Sequence, residues 1–245
     1  MRRIRLFVDQ PLQSGQAAIL SEAAANHAVR VLRLREGDAV TLFNGDGHDY
    51  SGQISLGKRE ARVLLNRVDA VTNESPLAVT LVQAIARGEK MDLILQKATE
   101  LGVAKIVPVS SDRTEVRLDE DRADKRIVHW QRVIESACEQ CGRAQLPQIE
   151  SPLPLERAAR LFADADADDT RLVLHPDGGE TLSRIECRDS VAIAIGPEGG
   201  FSDRDLAVLE QARFQRITLG PRILRTETAG LAAIAALQTR FGDLG

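Results

Sequence analysis

The sequence predicts an α/β protein of two domains, a small β-rich domain over residues 1–72 and a parallel-sheet domain over residues 73–245. Three observations carry that reading. Thr72-Asn73-Glu74-Ser75-Pro76 is polar, turn-rich and closed by a proline, as a linker is. Before it the apolar runs are short and closely spaced, which suggests a small barrel rather than strand-helix-strand units. After it, short apolar runs alternate with helical patterns. One of them, Val191-Ala192-Ile193-Ala194-Ile195, is so uniformly apolar that it reads as a strand buried on both faces of a parallel sheet.

Within the first domain, residues 4–8 are a strand candidate, and Ser21 can cap a helix over residues 22–32 that Gly37-Asp38 ends in a turn. Residues 39–43 and 50–56 are partner strands joined by the strong turn signal Asn44-Gly45-Asp46-Gly47, and residues 60–68 form a further strand.

The second domain opens with a long apolar strand over residues 77–86. The polar loop Arg87-Gly88-Glu89-Lys90, a helix over residues 91–101 stopped by Gly102, and a strand over residues 104–109 complete one βαβ unit. A long helix follows over residues 119–141, carrying Arg122, Lys125, Arg126, Arg132 and the only tryptophan, with Gly142 as its C-cap. Prolines 147, 152 and 154 punctuate a loop before a short helix over residues 155–162. The strand at residues 171–174 ends at His175-Pro176.

The strand at residues 191–195 runs into Gly196-Pro197-Glu198-Gly199-Gly200, after which Ser202 and Asp205 make a capping-box pattern for a helix to about residue 212. Residues 216–219 are another short strand, followed by Gly220-Pro221. Three glycine- or proline-bearing loops thus close three strands, at the carboxyl edge where open α/β sheets bind ligands. Glycines there let backbone amides approach a ligand directly. The last helix, residues 226–240, is alanine, leucine and isoleucine through its middle. A helix apolar all round must be buried all round, which in a chain this short predicts a homodimer.

Composition narrows the function. A charged fraction of 28% and a hydrophobic fraction of 43% describe a globular protein with a real core. No apolar run approaches the roughly 20 residues of a membrane span. The basic start Met1-Arg2-Arg3-Ile4-Arg5-Leu6 lacks the apolar segment of a signal peptide, so a cytoplasmic location is expected. Three cysteines do not make a disulfide framework, and Cys138-x-x-Cys141, late in a helix, reads as structural. P-loop, ordinary dinucleotide, paired-histidine and G-x-S-x-G signatures are missing, and no metal-ligand cluster is legible. Net charge is −4, yet arginines cluster at positions 2, 3 and 5 and at 30, 33 and 35, which makes a nucleic-acid backbone site plausible on local grounds.

Several stretches, in order, then assemble into a pattern: Asn26-His27-Ala28-Val29-Arg30-Val31-Leu32-Arg33; Arg87-Gly88-Glu89-Lys90-Met91 with Gln96-Lys97-Ala98-Thr99-Glu100-Leu101-Gly102; Ala137-Cys138-Glu139-Gln140-Cys141-Gly142-Arg143; Ile195-Gly196-Pro197-Glu198-Gly199-Gly200; and Leu219-Gly220-Pro221-Arg222-Ile223-Leu224-Arg225-Thr226-Glu227-Thr228. Together they resemble the bacterial 16S ribosomal RNA uridine-N3 methyltransferases of the SPOUT superfamily, over essentially the whole chain. The resemblance implies a PUA-like RNA-binding β-barrel followed by a SPOUT methyltransferase domain with a C-terminal trefoil knot. Connection rules alone would argue against a knot.

In that family S-adenosyl-L-methionine lies among the knotted loops. The resemblance assigns its contacts to Leu174, His175 and Pro176, to Ile195, Gly196, Pro197, Glu198, Gly199 and Gly200, and to Leu219, Gly220, Ile223 and Leu224, much of it through backbone groups. Uridine N3 is a nucleophile only once its proton leaves, and Arg225 is placed to set a guanidinium against the uracil oxygen of a uridinate. An ion pair with Glu227 or a phosphate contact is the ordinary alternative for that arginine. Glu198 and Glu227 are alternatives for a base or a sulfonium partner, capping of a helix amide is the ordinary alternative for either, and the base stays open, water included. Arg2, Arg5, Arg30 and Arg33 are the expected contacts to small-subunit ribosomal RNA, within the assembled subunit, and Arg87 and Lys90 are placed on the same surface. A knotted methyltransferase for another RNA position and a non-catalytic RNA-binding protein are the rival readings.

Overall fold

The structure is a computed structural model that describes residues 4–57, 60–116, 120–163, 169–177 and 179–245. The chain divides into two compact units, Met1–Glu74 with Glu135–Leu146, and Ser75–Ile134 with Pro147–Gly245. The break after Glu74 lies within the polar linker. Residues 135–146 count with the first unit because they bond to its first strand: Arg5 Nη1 donates to the Cys138 carbonyl at 2.6 Å, and Phe7 N donates to Glu139 Oε1 at 3.0 Å.

The first unit comprises β1 (Arg5–Phe7), β2 (Ala17–Ile19), α1 (Glu22–Asn26), β3 (Ala39–Phe43), β4 (His48–Leu56) and β5 (Ala61–Ala70). Its sheet has the order β1-β3-β4-β5-β2, antiparallel except for β1 beside β3. Alternate residues Leu42, Ile54, Val63 and Leu65 face one core, the period-2 pattern of a sheet with one wet side. Ser21 caps α1 by accepting from Ala24 N at 3.2 Å. The helix expected to reach residue 32 widens instead into a π-turn over His27–Val31, where Leu32 N donates to His27 O at 3.0 Å, and the next residue, Arg33, stands at φ 57°.

The second unit comprises β6 (Ala78–Ala84), α2 (Lys90–Glu100), β7 (Val103–Ser110), α3 (Glu120–Cys141, whose last turns count with the first unit), β8 (Gln148–Ile149), β9 (Leu153–Pro154), α4 (Leu155–Ala163), β10 (Thr170–Leu174), β11 (Glu180–Thr181), β12 (Ser190–Ile195), α5 (Asp203–Gln211), β13 (Gln215–Thr218) and α6 (Thr226–Phe241). All strand pairs are parallel, in the order β11-β13-β10-β12-β6-β7-β8, with β9 also on β7. β12 is inserted between β10 and β6, and its residues 191–195 are buried, as the apolar run requires. Helices α4 and α5 pack together, as do α2 and α6.

That order positions the site. β10 and β12 separate β13 from β6, yet the helix that follows β13 packs on α2, β6 and β12. Residues 219–225 therefore cross back over the carboxyl ends of β10 and β12. Along α6 one side is buried through Ala229, Ala233, Ile234 and Leu237, while Leu231, Ala232, Ala235 and Ala236 stay half-exposed. Among the described residues no helix is long and apolar enough to cross a membrane.

Candidate active site

The loops that follow β10, β12 and β13 enclose one cavity of about 660 Å³. Its size falls within the roughly 300–1,000 Å³ of small-molecule sites. Leu174, His175 and Pro176 come from the first loop, residues 195–200 from the second, and Leu219, Gly220, Ile223, Leu224 and Arg225 from the third, so every residue assigned to the donor contacts lines it. Parallel strands bring their carboxyl ends to one edge, and short apolar strands ending in Gly or Pro leave main chain exposed there.

Much of the wall is backbone. Gly200 and Gly220 stand at φ 68° and 72°, a region open to glycine and strained for other residues. A Cβ on Gly196 would lie 3.0 Å from Phe201 N and 3.2 Å from Gly200 C, so the loop turns too tightly there for a side chain. Ser202 ends the loop in a full capping box with Asp205, as the pattern predicts. Outside the box, Ser202 Oγ donates to Asp112 Oδ2 at 2.7 Å, Asp112 N donates to Asp205 Oδ1 at 3.2 Å, and Arg113 Nη1 donates to Gly199 O at 2.9 Å. The loop after β7 therefore braces the loop after β12. Arg113 also lines the cavity. It was not singled out in the sequence, although it follows a strand at the same carboxyl edge.

Charges around the cavity are unevenly satisfied. Lys90 Nζ, at the start of α2, lies 3.2 Å from Glu198 Oε1 and 3.5 Å from Glu227 Oε2. Partial burial pushes the Glu198 carboxyl up, but hydrogen bonds from its own amide, the Arg87 amide and the Lys90 ammonium outweigh this and leave it below the usual range. Glu198 is thus an ionised carboxylate at neutral pH. Arg225, exposed and at the N-cap of α6, makes no side-chain hydrogen bond or ion pair among the described residues. The pair with Glu227 that would have made it structural is not formed, since Glu227 faces Lys90.

The arginines expected on RNA fare differently. Arg5 is a correction: its side chain is 5% exposed, pairs with Asp49, donates to the Cys138 and Arg143 carbonyls and stacks 4.3 Å over the Phe43 ring. Four hydrogen bonds hold the buried guanidinium inside the first unit, which is a structural role rather than an open phosphate contact. Arg2 lies outside the described residues. Arg30 and Arg33 are exposed on and just after the π-turn. Arg87 pairs with Glu115, and Lys90 is a wall residue of the cavity engaged by two carboxylates.

Comparison with known proteins places this geometry in a class. A family model for an RNA methyltransferase domain matches residues 73–238, and one for an RNA methyltransferase PUA domain matches residues 20–65. A Legionella pneumophila protein solved with the cofactor SAM superposes with a TM-score of 0.94 at 39% identity, covering 100% of both chains. A ribosomal RNA small subunit methyltransferase E from Neisseria gonorrhoeae, bound to S-adenosyl methionine, gives 0.91 at 37% identity, again over 100% of both. The protein of the same name from Buchnera aphidicola (Schizaphis graminum) is 34% identical over 243 residues, 98% of this chain and 97% of the relative. The chain belongs to the ribosomal RNA small subunit methyltransferase E family.

Proposed function

We propose that this protein transfers a methyl group from S-adenosyl-L-methionine to N3 of a uridine in small-subunit ribosomal RNA, acting in the cytoplasm on the assembled subunit. The observation that carries the reading is the convergence of three backbone-rich loops on one cavity, with the guanidinium of Arg225, unpaired among the described residues, in its wall. The residues fit the donor. The cavity is of cofactor size, Gly196, Gly199, Gly200 and Gly220 put main chain in its wall with no side chain in the way, and Glu198 supplies a carboxylate complementary to a sulfonium. When bound, S-adenosyl-L-methionine supplies an electrophilic methyl group.

Everything else falls to the chain. A uracil N3–H is weakly acidic, and its lone pair is not free until the proton departs. Arg225 donates to a uracil oxygen, so that the charge left behind by the proton is spread onto a fixed cation. The loops hold the base so that reacting atoms meet at about 3–3.5 Å. Lys90, engaged by Glu198 and Glu227, fixes where those carboxylates stand and adds to the pull of the Glu198 and Arg87 amides that holds the Glu198 carboxyl below the usual range.

The PUA-like unit carries the RNA, with Arg30 and Arg33 on its open surface. The return of residues 219–225 across β10 and β12 supports the trefoil knot of the family. The half-exposed stripe Leu231, Ala232, Ala235 and Ala236 on α6 supports a homodimer, because a partner helix would complete the burial that so apolar a helix requires.

The test pairs two measurements on wild type and Arg225→Ala: titration calorimetry with S-adenosyl-L-methionine, and methyl transfer to small ribosomal subunits lacking the modification, read by nucleoside analysis. Both proteins should bind the donor, and only wild type should form 3-methyluridine. A wild-type protein that takes no donor, or a product methylated elsewhere, overturns the reading.

A further inference from the structure

Gln83 sits on β6, an interior strand of the large sheet, with 0% of its surface exposed, and it does not line the cavity. Its Nε2 donates to the Ala84 carbonyl at 2.9 Å and to Thr226 Oγ1 at 3.1 Å. Thr226, 5% exposed, passes its own hydroxyl proton to the Gly196 carbonyl at 2.7 Å. Gly196 begins the loop after β12, and Thr226 ends the loop after β13, one residue beyond Arg225. One hydroxyl therefore joins two of the three loops of the cavity, and one buried amide holds that hydroxyl.

The direction of the chain is fixed by chemistry. A carbonyl only accepts, so Ala84 O forces the NH2 end of the Gln83 amide toward it. The remaining amide proton then points at Thr226 Oγ1, which leaves the hydroxyl proton free to reach only Gly196 O. Flipping the amide would set two acceptors against each other at Ala84. Gln83 Oε1, meanwhile, is buried with no hydrogen-bond partner among the described residues. A buried amide left half-satisfied costs stability, and an apolar side chain would fill the space without that cost. What the glutamine offers in exchange is the directed relay.

We infer that Gln83 is a positioning residue of the active site, acting through Thr226 to lock the loops after β12 and β13 to each other and so to set the donor cavity and the base of Arg225. The inference rests on the proposed donor site. Without the relay the two loops are no longer tied at this point, and the cavity they form loses its preorganised shape.

The experiment uses the full-length protein and S-adenosyl-L-methionine itself. Gln83→Met keeps the volume without a donor, Thr226→Val keeps the shape without a hydroxyl, and Thr226→Ser returns the hydroxyl. Calorimetry should show donor affinity falling roughly tenfold in Gln83→Met and in Thr226→Val, the effect of one lost buried hydrogen bond. The double variant should lose no more than the weaker single, because both break one chain. Thr226→Ser should recover the affinity that Thr226→Val loses, and the KM for ribosomal subunits should not move. Should Gln83→Met not fold, the Thr226→Val and Thr226→Ser pair carries the same test. Variants that bind the donor like wild type, whatever happens to their melting temperatures, overturn the inference, as does a double variant whose loss is the product of the single losses. Wild type failing to bind in the same titration overturns instead the function on which the inference rests.

Discussion

Arg5 and Asp49 form a buried ion pair, with Nη2 2.8 Å and Nε 3.2 Å from the same Oδ1 and with side-chain exposures of 5% and 4%. Nη1 and Nη2 also donate to the carbonyls of Cys138 and Arg143, so the arginine satisfies the carboxyl end of α3 as well. Removing one partner of such a pair strands the other charge in a site built for two. Arg5→Leu should therefore destabilise the protein by about 3–5 kcal/mol, seen as a lower urea midpoint. A variant as stable as wild type but impaired in RNA binding would return Arg5 to the surface role the sequence suggested.

The case of Arg5 marks where sequence reading stops. An arginine beside two others looks like an open basic cluster, and nothing local signals that its partners lie 44, 133 and 138 residues away. The cavity loops were legible for the opposite reason: an apolar run ending in Gly-Pro announces both a buried strand and a bare turn within ten residues. The boundaries of α2, α3, α5 and α6 were legible through caps and periodicity. Strand order was not, because the insertion of β12 between β10 and β6 leaves no mark on either sequence. Two-residue strands such as β8, β9 and β11 are too short to show a period. The relay from Gln83 to Gly196 spans 143 residues in its first step alone, so Gln83 looked like an ordinary polar residue in an apolar strand.

Gly196 and Gly199 share one loop but differ in surroundings. A Cβ on Gly196 meets backbone at 3.0 and 3.2 Å, which cannot swing aside, whereas on Gly199 it meets only the Arg113 side chain at 3.4 Å. Gly196→Ala should lower donor affinity by tenfold or more, on the order of 1.4 kcal/mol, and Gly199→Ala should change it by much less. Calorimetry on both variants checks this, and equal losses would mean that the loop tolerates a shift at its first residue.

The thiols of Cys138 and Cys141 are pushed in opposite directions. The Cys141 thiol is pulled down to about 6, first by the hydrogen bond with Cys138, then, against an upward push from burial, by the Arg143 amide and by the charges of Arg143 and Arg5. Cys138 is pushed up, by that same hydrogen bond and by burial, and Cys187 is raised by burial. Only the thiolate alkylates. Iodoacetamide at pH 7 should therefore modify Cys141 well before the other two, and its rate against pH should have a midpoint near 6. Mass spectrometry of the alkylated peptides gives both results; a midpoint near the free-thiol value of about 8.5 would remove the coupling.

Gly230 lies inside α6, buried where the helix crosses β6 and β12, and the position looks like one that only glycine can fill. The space says otherwise. A Cβ would meet Gln83 Oε1 at 3.4 Å, Ile195 Cγ1 at 3.5 Å and Leu81 Cδ1 at 3.6 Å, all ordinary contact distances. In a helix interior alanine is favoured over glycine by about 0.8–1.0 kcal/mol, mostly through the unfolded chain. Gly230→Ala should stabilise the protein by about 0.5–1 kcal/mol in urea denaturation. Gly242, just past the same helix, makes the control. A Cβ there would overlap Gln238 Oε1, whose amide donates to the Leu101 and Gly102 carbonyls and accepts from Ser75. Gly242→Ala must break that network and should destabilise by about 1–3 kcal/mol. If both variants are destabilised alike, the closeness of α6 to β6 and β12, rather than helix propensity, decides at Gly230.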